Sequence, residues 1–233
     1  MSPSVATIVA KKKRRRILFV SVVVIIISWI SLVRTQCGRE PQMDDGPFLA
    51  QGEVVAEEAI KALGDKGSIV ILTMEMGGSV ADTTKLQLDS FLKTLKKRST
   101  ISVRAHEHFQ PPPYVDSDIA PPVQGVTGEF LLQLIQKHPD ARAIVSFAGS
   151  PILKDEQIRA LGEGTPKIIV ASNATGSPRD ALKRLFDANL VLFAVTHRTT
   201  APPAGKPKTS RDVFDRFYQI VTPETAGELS ASS

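Results

Sequence analysis

The chain has 233 residues, with 29 Lys+Arg against 24 Asp+Glu, a net charge of +5 and a pI near 9.4. A basic balance invites a nucleic-acid reading, but the distribution excludes it. Residues 1–39 hold eight cations and no acid, which leaves 21 cations against 24 acids, a net charge of −3, for residues 40–233. The length suits one domain of ordinary size, and a single cysteine excludes an internal disulfide framework and a cysteine-cluster metal site.

The surplus of cations sits in Lys11 to Arg16, an unbroken run of six. Ile17 to Val33 follows, 17 residues without a charge. At 1.5 Å per residue such a helix spans about 25 Å, the short end of what crosses a bilayer. Cations before the span place residues 1–16 in the cytoplasm and the rest outside it. Residues 17–33 are therefore expected to be a transmembrane signal anchor in a bacterial inner membrane, single-pass, with Trp29 near the exit. No small-residue cleavage site follows Val33. Cys37 stands where a lipoprotein carries its lipidated cysteine, yet Arg34, Thr35 and Gln36 do not make a lipobox, so an uncleaved anchor is the leading expectation and a lipidated Cys37 the alternative. The cations are explained by topology, and no nucleic-acid partner is expected.

Residues 34–49 read as a polar linker. Glu53–Leu63 has helical spacing of Val54, Val55, Ala59, Ile60 and Leu63, with Gly64 as a stop. Ser68–Met74 (SIVILTM) is a continuous apolar run, as in a strand covered on both faces. Ala81–Arg98 is an amphipathic helix with Leu88, Leu92 and Leu95 on one stripe. Thr100–Ala105 reads as a strand. Residues 110–124 carry five prolines and cannot be regular. Gly128–Lys137 reads as a helix, Ala143–Phe147 as a strand, Asp155–Leu161 as a short helix, Lys167–Ala171 as a strand. Pro178–Ala188 is a helix with proline in its first turn, and Leu190–Val195 a strand. A Pro/Lys/Thr loop at 199–210, a helical turn at 212–217 and an edge strand at 218–221 complete the domain, expected to be extracytoplasmic over residues 50–221. Residues 222–233 read as a disordered tail.

Helices between apolar strands require crossovers. The expected fold is thus α/β, a three-layer parallel sheet of about five or six strands flanked by helices, preceded by one N-terminal transmembrane helix. Ligands in such sheets lie beyond the carboxyl ends of the strands. The residues predicted there are Glu75, Gly77, Gly78 and Ser79 after the first strand, His106 and His108 after the second, Gly149 and Ser150 after the third, Ser172 and Asn173 after the fourth, and Thr196, His197 and Arg198 after the fifth. Hydroxyls, amides and a guanidinium suit a small polar ligand, sugar-like or anionic.

Three sharper readings stand beside this one. Gly77-Gly78-Ser79 ahead of a helix can present backbone amides to an anion, although it is neither a dinucleotide fingerprint nor a phosphate loop. His106-Glu107-His108 puts two imidazoles on one face of an extended segment, which with Glu75 or His197 can ligate a metal. Ser150 and His197 are a nucleophile and a base without a nucleophile elbow around the serine. None is the leading expectation: no catalytic residue, no metal and no cofactor is predicted, and the chain is read as no enzyme.

Four segments resemble a known family. SIVILTMEMGGSVADTTKLQLDSFLKTLKKRSTISV (68–103) is similar to the first strand-helix-strand of type I periplasmic binding proteins, the sugar-binding family related to the effector domains of LacI-type repressors. GEFLLQLIQKHPDARAIVSFAGSP (128–151) resembles that family's second helix and following strand, PKIIVASN (166–173) its next strand, and LFDANLVLFAVTHR (185–198) a later one. The likeness runs over about residues 68–198, enough for one lobe of a family that has two. It implies carbohydrate or other substrate binding, by an anchored solute-binding or sensing domain. The alternative it leaves open is a degenerate lobe that keeps the fold, binds no ligand and docks to an envelope protein partner. The family's Asn-Pro-Phe-Phe segment is replaced here by Gly77-Gly78-Ser79, and its strand-end aspartate by Ser172 or Asn173.

Overall fold

The computed structural model describes residues 28–29, 44–74, 79–111, 125–162, 164–171, 179–198, 200–203 and 205–227. The predicted membrane segment, 17–33, lies outside them apart from Ser28 and Trp29. Among the described residues no helix is long and apolar enough to cross a membrane.

The first helix, α1 (Gly46–Leu63), starts earlier than expected and takes up the end of the predicted linker. Pro47 occupies its first turn, where a missing N–H costs nothing. The sequence hides this because Gly52 breaks the pattern. Gly52 is where α1 crosses the next helix, and a Cβ there would lie 2.1 Å from the backbone oxygen of Gln87. Close approach overrides helix propensity at that position.

The chain then alternates: β1 (Ser68–Met74), α2 (Ser79–Arg98), β2 (Ser102–Phe109), β3 (Val126–Thr127), α3 (Gly128–Lys137), β4 (Ala143–Ser146), β5 (Pro151–Ile152), α4 (Asp155–Ala160), β6 (Lys167–Val170), α5 (Arg179–Asp187), β7 (Val191–His197), α6 (Ser210–Phe217) and β8 (Tyr218–Val221). Six strands form one sheet in the order β2-β1-β4-β6-β7-β8, and β3 and β5 form a separate two-stranded parallel pair. All pairings of the large sheet are parallel except that of β8, which runs antiparallel to β7. The expected α/β parallel sheet with helices on both faces is what the described chain forms.

Two cores lie on opposite faces. Ile69, Ile71, Val145, Ile169, Phe193 and Val195 face α1, α2 and α6, packing with Val54, Val55, Phe91 and Phe214. Val70, Leu72, Ile144, Val170 and Ala194 face α3, α4 and α5, packing with Leu131, Leu134, Leu182 and Leu185. The alternation along each strand follows from the two-residue period of the pleat. Central strands are buried on both faces, which is why β1 and β4 read as unbroken apolar runs.

Several boundaries differ from those expected. β2 continues to Phe109, so His106 and His108 lie within the strand and not beyond it. β7 likewise continues through Thr196 and His197. α6 begins at Ser210 because Thr209 and Asp212 cap each other: Thr209 Oγ1 accepts from the Asp212 amide, and the Asp212 carboxylate accepts from the Thr209 amide at 3.0 Å. The start of the predicted disordered tail is ordered. Thr225 N donates to Thr222 O, and Ala226 is buried in the core on the α3 and α5 side.

Candidate functional site

The chain leaves β1 toward β2 on one side and leaves β4 toward β6 on the other. Strand order therefore reverses between β1 and β4. Connections diverge there, and the carboxyl ends of two such strands are the position where open α/β sheets hold ligands. Of the residues predicted to line it, Glu75, Gly77, Gly78, Ser172 and Asn173 lie outside the described residues, and Ser79 opens α2. The described members are His106, His108, Gly149, Ser150, Thr196, His197 and Arg198.

The segment after β4 turns sharply. Gly149 has φ 90°, a conformation open to glycine, and its carbonyl accepts from the buried Ser146 hydroxyl at 2.7 Å. Phe147 N still donates to Leu72 O, which ties the turn to the end of β1. Ser150 is fully buried and its hydroxyl donates to Pro151 O at 3.4 Å. The serine is thus a structural member of the turn. β4 and β7 are two strands apart, about 10 Å at strand spacing, and among the described residues Ser150 has no hydrogen bond to His197. The two do not make a nucleophile and base.

His106 and His108 do share a face, as their spacing requires. They pair with Ile71 and Thr73 of β1, and both rings reach the Thr73 hydroxyl, His106 Nε2 at 3.2 Å and His108 Nδ1 at 3.0 Å. A hydroxyl between two imidazoles donates to one ring nitrogen and accepts from the other. The rings stack at 4.7 Å. Burial is the main cause that holds His106 below the usual histidine range, the His108 charge adds to it, and Glu107 opposes. Thr73 is a site residue that the sequence did not single out. Its signal is parity: it is the one hydroxyl in SIVILTM on the same face as the two histidines.

Glu107 points the other way. Its carboxylate accepts from His138 Nε2 at 2.8 Å and from Lys137 at 2.8 Å, joining β2 to the end of α3. Hydrogen bonds from Lys137 and His138 hold its pKa below the usual carboxylate range. His197 lies four strands from β2, about 19 Å away, and its ring lies 5.3 Å from that of Tyr218, tilted by 36°. Among the described residues no group of three His, Cys, Asp or Glu side chains is arranged to hold a metal ion.

At the end of β7, Thr196 follows the pleat toward the α3 and α5 side. It is 8% exposed, and its Oγ1 makes no hydrogen bond. Arg198 donates its backbone N–H to Phe217 O and its Nη1 to Thr200 at 3.3 Å, while its buried Nε is unpartnered. Buried polar atoms are normally paired, so two orphans at one strand end point to a missing polar partner. Behind this face, Gln51 of α1 donates to the carbonyl of Ala171 at 2.7 Å and accepts from Gln87 of α2 at 2.9 Å. These buried amides fix the end of β6, just before Ser172 and Asn173.

No family model matches the chain, and no curated protein matches it. Among solved structures, the chain is similar to AraP, an arabinose-binding protein from Geobacillus stearothermophilus, at 14% identity and a TM-score of 0.49, over 78% of this chain and 63% of that one. It is similar to an ABC transporter solute-binding protein from Agrobacterium vitis bound with alpha-D-tagatopyranose, at 20% identity and a TM-score of 0.43, over 79% and 51%. It is also similar to the XylFII-LytSN complex, at 14% identity and a TM-score of 0.46, over 76% and 60%. The chain spans less than two thirds of the length of each of these. At such identities the likeness concerns the fold alone.

Proposed function

We propose that the chain is a membrane-anchored, extracytoplasmic module that binds or senses a small polar ligand, a sugar in the first place, on the carboxyl-end face of its sheet, without catalysing a reaction. The observation that carries the binding role is the reversal of strand order between β1 and β4. The orphaned Thr196 hydroxyl and Arg198 Nε supply a hydroxyl and a donor for such a ligand. Anchoring rests on the cations and apolar run of residues 11–33, which favour an inner-membrane location with the N-terminus in the cytoplasm. A single lobe has an open face, so binding is expected to be weak unless a second copy or a partner closes it.

A thermal-shift screen of the purified full-length chain in non-ionic detergent, with a panel of aldopentoses and aldohexoses, tests the ligand. A saturable rise in Tm with one sugar supports the proposal. No rise with any sugar up to saturating millimolar concentrations overturns it.

A second reading is favoured by a different observation. Ser150 is buried in its own turn, and His106 and His108 are engaged by Thr73. Much of the described polar surface of the face is therefore already satisfied internally, as in a lobe that has lost its ligand and serves as an envelope interaction module. The absence of any sugar response, together with one envelope protein recovered by crosslinking in intact cells, would favour this second reading.

A further inference from the structure

At the opposite end of the sheet, by the amino termini of β4 and β6, lies a cavity of about 380 Å³. Ala62 and Leu63 of α1, Leu192 of β7 and the polar residues Arg142, Thr165 and Lys167 line it. The size is that of a small-molecule site. It is separated from the carboxyl-end face by the length of the strands, about 13 Å for four residues.

The charge arrangement is specific. Arg142 Nη1 donates to Leu63 O at 2.6 Å and to Lys66 O at 3.0 Å, and Lys167 Nζ donates to Asn189 O at 2.5 Å. Neutral carbonyls hold both cations in place, and no described carboxylate pairs with either. Gly67 lets the arginine lie flat, since a Cβ there would sit 2.6 Å from Arg142 Cδ. The guanidinium keeps Nη2 and Nε for a ligand, and the ammonium keeps two of its three hydrogens. Asp140 also lines the cavity, but Arg104 holds its carboxylate at 3.2 Å. Cations positioned in advance without being neutralised are what an oxyanion site requires, and a guanidinium matches the oxygens of a phosphate in two-point fashion.

We propose that this cavity is a second ligand site, which takes a small phosphate or phosphomonoester between Arg142 and Lys167. The site is independent of the carboxyl-end face, so a failed sugar screen leaves it standing and the reverse also holds.

The test is calorimetric titration of the full-length chain in non-ionic detergent with inorganic phosphate and with glycerol 3-phosphate, at constant ionic strength set by chloride. Saturable binding is expected. Equal affinity for both assigns the site to free phosphate, and tighter binding of the ester assigns the rest of the cavity to the organic part. Lys167→Gln should weaken binding about tenfold, the loss of one charge-assisted hydrogen bond. Asp140→Asn should tighten it severalfold by removing a repelling charge, a sign that misfolding cannot mimic. Arg184→Gln, which does not line the cavity and is paired with Asp155, should change nothing. No saturable binding of either probe, unchanged affinity in Lys167→Gln, or no tightening in Asp140→Asn overturns the proposal.

Discussion

Thr196→Val separates ligand binding from folding. The threonine hydroxyl is buried at 8% exposure with no hydrogen bond. Leaving such a group unpaired costs about 1–3 kcal/mol. Valine keeps the branched shape and the strand preference and puts a methyl in place of the hydroxyl. The free protein should therefore gain about 1–2 kcal/mol, which for a domain of this size raises Tm by about 2–8 °C. The same substitution should remove or sharply weaken any sugar-dependent shift, because the ligand loses its partner. Urea unfolding and thermal melts of the wild type and the variant, each with and without sugar, read both effects. A loss of about 1 kcal/mol or more in the free variant would mean that the hydroxyl is already bonded in the folded chain and is not kept for a ligand.

Other outcomes follow from the same packing. Gly52→Ala should cost about 1–3 kcal/mol or more, because its Cβ meets the backbone of α2, whereas Gly162→Ala, with open space around it, should stay within about 0.5 kcal/mol; equal effects in urea melts would contradict the helix crossing. Gln51→Leu should cost about 2–4 kcal/mol, since it strips partners from both Ala171 O and Gln87; a neutral melt would show that the amide chain does not form. Stability should fall in two stages as pH drops. His106 is held below its unfolded pKa, so its contribution is present above the usual histidine range and is lost as pH falls through it. Glu107 is held below its own unfolded value, so its contribution persists above the usual carboxylate range and is lost as pH falls below that range. His106→Gln should erase the first stage alone in denaturant midpoints measured from pH 8 to 3.

The order of strands and helices was legible because central parallel strands are buried on both faces and read as apolar runs. Ile168, Ile169 and Val170 are examples. The ends of strands were not. His106, Glu107 and His108 are three polar residues in succession because β2 is an edge strand, exposed over most of its length, and a polar run reads as a loop in the sequence. Thr196 and His197 belong to β7 only because β8 pairs with them across the sheet, Thr196 with Gln219 and His197 with Tyr218, a partnership no local pattern announces. β3 and β5 are two residues each, too short for any periodicity. For the candidate site, residue types at strand ends were legible from order alone. Whether Ser150 faces a ligand or its own turn depends on a positive φ at Gly149, which a glycine permits but does not require. The role of Thr73 and of Gln51 depends on which face each side chain takes, and that emerges only once strand register and helix crossing are known.

The most direct measurement is an amide NMR titration of the full-length chain with the sugar that gives the largest thermal shift. Saturable shifts are expected at Gly149, Ser150, Thr196 and Arg198, with Thr165 and Lys167 at the far end of the sheet unmoved. Saturable shifts confined to other surfaces, or none at any of these four amides, would contradict a sugar site on the carboxyl-end face.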